Sequence, residues 1–244
     1  MIDSKPGMDS LPGELIGEII DNLPRSSLRC ASLVARRWRQ RSQQCLLDRI
    51  CFPSERHVNS WHANTHDDPH GVSSYIQFAR FYAIPKWEEP TLFARVLENF
   101  NSLTTLWMYD TEIPDGLPDH ISCGEFSKRV TALRLMSLRC TFTTAISTIL
   151  SFPNLKRLIF GSYGTLSGDL PSTGFATPQW GAFESLRLYG DLDEVAETFA
   201  KVRFVSRRLS LDIRIPCIQD LLMLSSEVVT ELVLQGVQSP CTLR

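Results

Sequence analysis

Four histidines and two aspartates that lie close together are the residues best placed for metal chemistry. They occur in FPSERHVNSWHANTHDDPHGVSSY and comprise His57, His62, His66, His70, Asp67 and Asp68. Histidines four residues apart on one face of a helix are able to bind zinc. Pro69, Gly71 and the polarity of the surrounding residues argue against a helix, so we predict a loop, no metal site and no cofactor.

Cysteines and glycines offer no clearer catalytic pattern. Cys45 and Cys51 stand near the histidines as candidate thiol nucleophiles, but the sequence places no base beside them. Gly161, Gly164 and Gly168 follow a predicted strand without the spacing, or the Lys-Ser/Thr pair, of a phosphate-binding loop. We therefore predict a protein that is not an enzyme, with a cryptic enzyme as the alternative.

Composition and charge indicate a folded protein that binds neither nucleic acid nor membranes. The 244 residues are 43% hydrophobic and 21% charged, and the formal net charge is -2. Seven cysteines, an odd number without any C-x-x-C pair, indicate reduced thiols rather than a disulfide framework. Because no secretory leader or membrane-spanning apolar run is present, we expect a cytoplasmic or nuclear protein.

The first forty residues carry two apolar stripes at helical spacing. In LPGELIGEIIDNL a proline stands where a helix would begin, and apolar residues recur along one side up to Pro24. Ser26 or Ser27 is expected to cap a second helix that extends through Leu28 to Trp38. Helices this short are marginal in water. They therefore need a further surface, which is either the rest of this chain or a partner.

The order of these residues resembles the F-box, a motif of roughly forty residues that binds the Skp adaptor of cullin–RING ubiquitin ligases. The resemblance covers residues 9–50 and rests on Leu11-Pro12-x-Glu14-Leu15, Ile19-Ile20, Leu23-Pro24, Leu28, Leu33-Val34 and Trp38-Arg39. It implies a three-helix unit that places apolar anchors in a groove of the adaptor. The residues expected in that groove are Leu11, Pro12, Leu15, Ile19 and Ile20.

The resemblance also implies which residues hold the three helices together and complete the contact. These are Leu23, Leu28, Leu33, Val34 and Trp38, and Pro24 is counted with the adaptor-binding residues. The resemblance thus implies a Skp-type adaptor as the first partner.

A weak repeat occupies the sequence from about residue 90. Six segments share the frame apolar-x-x-apolar-x-apolar, and their central positions are 106, 133, 158, 186, 209 and 232. Spacing in the twenties is typical of leucine-rich repeats. Helix-like runs between them, TLFARVLENF, FTTAISTILSF, LDEVAETFAKV and CIQDLLMLS, predict a unit of one strand and one helix.

The repeats resemble the irregular leucine-rich type found in many F-box proteins. We therefore predict an α/β fold in which a three-helix F-box, residues 9–50, precedes a solenoid with parallel strands and helices on the convex side. Residues 51–90 are predicted to be a linker with loops and a short helix, and residues 91–244 to hold about six repeats. An ordinary α/β domain is the alternative. Because no helix follows the last predicted strand, either the array is short there or the sequence is a fragment.

In a solenoid the side chains between the leucines point to the concave face. The candidate substrate-binding residues are Trp107, Arg134, Arg157, Arg187, Tyr189 and Arg208. The four arginines would form a basic stripe for an acidic or phosphorylated segment, since guanidinium matches carboxylate and phosphate geometry. The alternative is a solvated polar face.

Together these features predict the substrate-recognition subunit of an SCF-type ubiquitin ligase. The helices would bind the Skp adaptor and the repeats an unidentified protein substrate. The alternative is a leucine-rich-repeat scaffold that binds proteins without a role in ubiquitin transfer.

Overall fold

The computed structural model describes residues 11–65, 71–114, 116–162, 166–167, 183–190, 199, 204–212, 222–223 and 228–235. Its first part consists of three helices, α1 (Gly13–Asp21), α2 (Arg25–Val34) and α3 (Arg36–Leu47). The expected three-helix unit is therefore present.

Prolines set the beginnings of the first two helices. Pro12 and Pro24 occupy the N-cap positions of α1 and α2 in extended conformations, with ψ near 145° in both cases. Ser26 and Ser27 lie inside α2, and no side chain of this described segment caps it, so the predicted serine cap is wrong. The fixed φ of proline favours a start one residue after it.

The second predicted helix is in fact two helices. Ala35 is extended, with φ -150° and ψ 154°, and separates α2 from α3. Trp38 therefore belongs to α3. Its indole folds back into a small core with Ile16, Ile20, Leu28 and Ala31.

Eight strands of the described residues form one parallel sheet. In sheet order they are β1 (Arg49–Phe52), β2 (Phe78–Tyr82), β3 (Thr105–Tyr109), β4 (Ala132–Met136), β6 (Arg157–Ser162), β8 (Phe183–Gly190), β9 (Ser206–Asp212) and β10 (Glu231–Gln235). Each strand pairs with the one before it in this order. Two short strands, β5 (Cys140–Thr141) and β7 (Leu166–Ser167), pair with each other outside this sheet.

The register of the sheet matches the frame of the sequence repeat. Leu106 pairs with Leu133, Leu133 with Leu158, and Leu158 with Leu186. Leu209 continues the row and pairs with Leu232. The six predicted strands are confirmed, and their central positions form one continuous line across the sheet.

Strand β2 and half of β1 lie in residues 51–90, the segment predicted as a linker with loops and a short helix. Residues 49–82 contribute β1, the helix α4 (Glu55–Thr65), a 3-10 turn (Val72–Tyr75) and β2. Strand β1 begins two residues after α3 ends. The helices and the sheet are therefore joined without a spacer.

Helices cover one face of this sheet. After α4 these are α5 (Pro90–Glu98), α6 (Leu117–Cys123) and α7 (Phe142–Leu150), and each contacts the next. Their buried side chains share one core with the leucines of the strands. The predicted helices near residues 91–100 and 142–152 are confirmed, whereas α6 was not predicted. The runs LDEVAETFAKV and CIQDLLMLS lie almost entirely outside the described residues.

A left-handed residue recurs at the same place in three units. Ala83, Asp110 and Ser137 have φ values of 54°, 47° and 50°, and each directly follows a strand, β2, β3 and β4. Residues with side chains seldom adopt this conformation. Its repetition shows that successive units leave the sheet by the same turn.

Candidate functional site

The helical unit exposes apolar side chains that its own core does not use. The exposed fractions are 46% for Leu15, 40% for Ile19, 79% for Leu33 and 57% for Val34. We call these four residues the apolar helical surface. Leu15 and Ile19 lie on α1, and the other two lie at the end of α2. The apolar residues of α1 therefore fall into a buried set that packs within the helical unit and an exposed set that does not.

The structure places several expected adaptor contacts differently. Ile20 is fully buried against the neighbouring helices, so its side chain is closed to any groove. Leu33 and Val34, expected to hold the helices together, are exposed because α2 ends at Val34 and Ala35 turns the chain away. The physical reason is the helix break, which moves the packing role to Ala31 and Trp38.

The other expected adaptor contacts lie around the same core. Leu28 and Trp38 are buried in it, and Leu11 and Leu23 pack against its edge. Pro12 and Pro24 are exposed at the helix starts. The sequence prediction therefore brought together the right unit but did not separate its interior from its surface.

A charged contact fixes α1 against α3. Arg41 donates two hydrogen bonds to the Asp21 carboxylate, at 2.8 and 2.5 Å. These bonds lower the pKa of Asp21 below its ordinary value, and the carboxylate in turn raises the pKa of Arg41. The Cys45 thiol donates to the same carboxylate at 3.4 Å. Burial and this contact raise the pKa of Cys45, which favours the thiol over the nucleophilic thiolate.

A polar cleft of about 720 Å³ lies where the three helices meet the start of the sheet. Its charged residues contact one another or the backbone. Arg25 donates to the Leu46 carbonyl and lies 3.3 Å from Asp48, which also lies 3.5 Å from Arg49. These contacts position the helical unit on the first strand rather than forming a reactive set.

The side of the sheet opposite the described helices, which we call the outer face, carries the other candidate residues. Along one row the residues that follow one another are Arg80, Trp107, Arg134, Ile159, Arg187, Ser210 and Val233. The row beside it runs Phe78, Thr105, Ala132, Arg157, Ser185, Arg208 and Glu231. Neighbouring strands are about 4.8 Å apart.

The four predicted arginines lie on consecutive strands but not in one row. Arg134 and Arg187 belong to the first row, and Arg157 and Arg208 to the second. They therefore form a zigzag across four neighbouring strands rather than a single row. Tyr189 lies in a third row beside Gly161, over which Met136 packs.

The arginines of this face differ in whether another side chain already contacts their guanidinium group. Arg134 lies over the Trp107 ring, 4.7 Å from its centroid, and Arg208 lies 3.3 Å from the Glu231 carboxylate. Among the described residues neither Arg157 nor Arg187 makes an ion pair. The free positive charge of the zigzag thus belongs to these two arginines.

Sequence reasoning missed four residues that extend the outer face onto β1 and β2. Arg49 lies over the Phe78 ring, and Phe78 makes an edge contact with Trp107 at 4.8 Å. Arg80 lies over Tyr82, which stacks on Tyr109 at 5.1 Å. A signal was present, because Ile76-x-x-Ala79-x-Phe81 and Leu47-x-x-Ile50-x-Phe52 fit the repeat frame. The signal is weaker in the β2 frame, because its central residue, Ala79, is small.

The histidines do not assemble a metal site in the described part of the chain. His57 and His62 lie on α4, contrary to the predicted loop, and the His57 ring contacts the Ser54 hydroxyl at 2.8 Å. The remaining members of the set, His66, His70, Asp67 and Asp68, lie outside the described residues, as do Gly164 and Gly168. No cluster of three metal-ligating side chains occurs within the residues described.

None of the described helices is both long enough and apolar enough to cross a membrane.

Comparison with known proteins bears on the helical unit alone. Residues 8–49 match the F-box domain family, and this range contains the whole of α1, α2 and α3. No curated protein matches the chain.

Proposed function

We propose that this chain, an F-box protein, is the substrate-recognition subunit of an SCF-type ubiquitin ligase. The helices α1–α3 bind the Skp adaptor, and the outer face of the sheet binds a protein substrate. The single observation that carries the proposal is the apolar helical surface, which lies within the matched F-box domain and has no cover among the described residues.

The amount of uncovered surface is sufficient for a useful interaction. The exposed fractions of the four residues add up to about two whole apolar side chains. Full burial of one such side chain contributes about 1.5–3 kcal/mol, so the surface offers about 3–6 kcal/mol before the costs of association. A micromolar affinity corresponds to about 8 kcal/mol, so polar contacts around this surface would have to supply the remainder.

We further propose that the sheet and its helices are an irregular leucine-rich-repeat solenoid. The strands follow chain order, the repeat leucines share one register, and three units leave the sheet by the same left-handed turn. Residues 49–82 contribute two more units to the six that we expected. In this proposal the F-box extends to about residue 48 and the repeat domain begins directly afterwards.

In this proposal the chain itself catalyses no reaction. It raises the effective concentration of a bound substrate near a ubiquitin-loaded enzyme that is carried elsewhere in the complex. A cytoplasmic or nuclear location follows from that role. We propose no nucleic-acid or membrane partner.

Adaptor capture by the full chain tests the proposal. Ile19→Asp should remove capture because it puts a charge into the apolar helical surface. Val72→Asp is the matched control, since Val72 is 38% exposed against 40% for Ile19 but lies on the 3-10 turn outside the F-box. Circular dichroism of both variants confirms that each is folded. A wild-type chain that folds but captures no adaptor would favour a protein-binding scaffold without a ligase role.

A further inference from the structure

We propose that the outer face contains a pocket for one phosphoryl group, formed by β8, β9 and β10 and centred on Ser210. The inference gives a ligand class to the proposed substrate-binding face and rests on that proposed function for its biological meaning. Its test requires only the isolated chain.

The pocket is a block of six residues on three adjacent strands. Ser185, Arg208 and Glu231 form one row, and Arg187, Ser210 and Val233 form the next. They enclose a cavity of about 140 Å³ with Leu209 beneath it. At about 30 Å³ for each water-sized group, the cavity holds about four such groups, enough for a phosphorus atom with its oxygens.

An unsatisfied hydroxyl at the base of the cavity points to a ligand. Ser210 is 7% exposed, and its hydroxyl has no hydrogen-bond partner among the described residues. A buried hydroxyl without a partner is destabilising unless something else satisfies it. Because Ser210 lines the cavity, a ligand oxygen seated there would accept a hydrogen bond from this hydroxyl.

Two guanidinium groups neighbour the hydroxyl, Arg187 at the paired position of β8 and Arg208 two residues earlier on β9. Arg187 is exposed and has no ion pair among the described residues, so its charge is available. Arg208 lies 3.3 Å from Glu231, and both side chains of that pair are exposed, at 71% and 57%. Exposed pairs of this kind are weak and exchange readily for a better acceptor.

These donors suit a phosphoryl group better than a carboxylate. Two guanidinium forks and a hydroxyl are available on two adjacent strands, and a phosphoryl group offers three oxygens and up to two negative charges. A carboxylate offers two oxygens in one plane and a single charge. Glu231 already supplies one carboxylate to Arg208, so an incoming group must displace it, which a dianion does more effectively.

The source of the phosphoryl group is a phosphorylated side chain of a protein segment. The cavity opens on the outer face, where the side chains of Ile159 and Val233 provide apolar contacts on both sides for a chain lying across the strands. Free phosphate would gain none of these contacts.

Binding of a synthetic peptide to the full chain tests the inference. The probe is Ac-Gly-Ala-phosphoserine-Ala-Gly-amide, compared by isothermal titration with its unphosphorylated form and with inorganic phosphate. We expect the phosphopeptide to bind at least about 10-fold more tightly than either. Equal binding of the two peptides, or tighter binding of inorganic phosphate, would overturn the inference.

Three substitutions and one control locate the site. Arg187→Ala and Ser210→Ala should each weaken phosphopeptide binding about 10-fold, as expected for a hydrogen bond to a charged group. Glu231→Gln should strengthen it, because it frees Arg208 and removes a repelling carboxylate. Arg207→Ala removes the same charge from the neighbouring position of β9, which does not line the cavity, and should change binding less than 2-fold.

The control outcomes separate this inference from the proposed function. A loss for Arg207→Ala as large as that for Arg187→Ala would show unspecific attraction and refute the pocket. Ser210→Ala should also unfold at a temperature no lower than the wild type, because it removes an unsatisfied hydroxyl. Adaptor capture by Arg187→Ala should equal that of the wild type, so a failed phosphopeptide experiment leaves the F-box proposal standing.

Discussion

Substitution by alanine should affect stability at one isoleucine of α1 and adaptor binding at the isoleucine next to it. Ile20 is fully buried against Leu28 and Trp38, whereas Ile19 is 40% exposed on the apolar helical surface. Replacement of a buried isoleucine by alanine costs about 2–5 kcal/mol. Ile20→Ala should therefore destabilise the three-helix unit by an amount in that range.

Ile19→Ala should instead act on adaptor binding. Full burial of an isoleucine is worth about 1.5–3 kcal/mol, so its exposed 40% has about 0.6–1.2 kcal/mol left to gain in a complex. That difference corresponds to a dissociation constant about 3- to 8-fold weaker. The loss of stability should be smaller than for Ile20→Ala, because less of the side chain is packed within the chain.

Hydrogen exchange and calorimetry measure the two effects separately. Exchange of the α1–α3 amides reports the local free energy of opening, which applies even if the helices unfold before the sheet. Titration with purified Skp adaptor reports affinity at a temperature where both variants are folded. The reasoning is refuted if Ile19→Ala speeds exchange as much as Ile20→Ala does, or if it leaves the affinity for the adaptor unchanged.

Three further predictions concern pH, the sheet core and the repeated turn. The lowered pKa of Asp21 adds stability at pH values above its ordinary 3.8, and that stability is lost as the pH falls below this value. Asp21→Asn should remove this contribution, which is no more than about 1 kcal/mol for so exposed a pair. Chemical denaturation between pH 2 and pH 7 measures the difference. Leu158→Ala should cost about 2–5 kcal/mol in urea unfolding, against less than about 1.5 kcal/mol for the neighbouring Ile159→Ala, because only Leu158 faces the helices; equal losses would contradict the assigned faces. Ala83→Gly should raise the melting temperature slightly. Glycine relieves about 1 kcal/mol of backbone strain at φ 54°, and the greater entropy of the unfolded chain offsets somewhat less than that. A clear decrease in melting temperature would contradict the left-handed turn.

The parallel sheet shows why local patterns in the sequence predicted its strands well. Each repeat strand has leucine or another large apolar residue at fixed positions, and parallel strands buried on one face impose that pattern. The register followed because every unit must place its central leucine in the same layer. The unit around Ala79 escaped notice because a small residue at the central position weakens the pattern, although Phe81 lies beside it and fills the core.

The helical unit shows what periodicity cannot decide. Ile19 and Ile20 are equally apolar, and only the direction of the neighbouring helices determines which one is buried. The break at Ala35 was likewise not visible in the sequence, because the apolar spacing continues through it although the helical conformation of the backbone does not. The serine cap failed for a related reason, since Pro24 alone already fixes the start of α2.

The candidate binding residues were predicted by type but not by arrangement. Alternation along each strand correctly put the arginines on one face. Their division into two rows could have been read from the repeat frame, because Arg157 and Arg208 stand one residue before the central position and Arg134 and Arg187 one residue after it. The pocket around Ser210 was not predicted, because a serine in a strand gives no sign that its hydroxyl lacks a partner.

The most direct test of the central claim is the hydrogen-exchange footprint of the Skp adaptor on the full chain. The account predicts slower exchange in α1 and α2 around Ile19 and Leu33, and unchanged exchange in β3, β4 and β6, whose outer face is left for a substrate. Protection of those strands with no protection of α1 or α2 would contradict it.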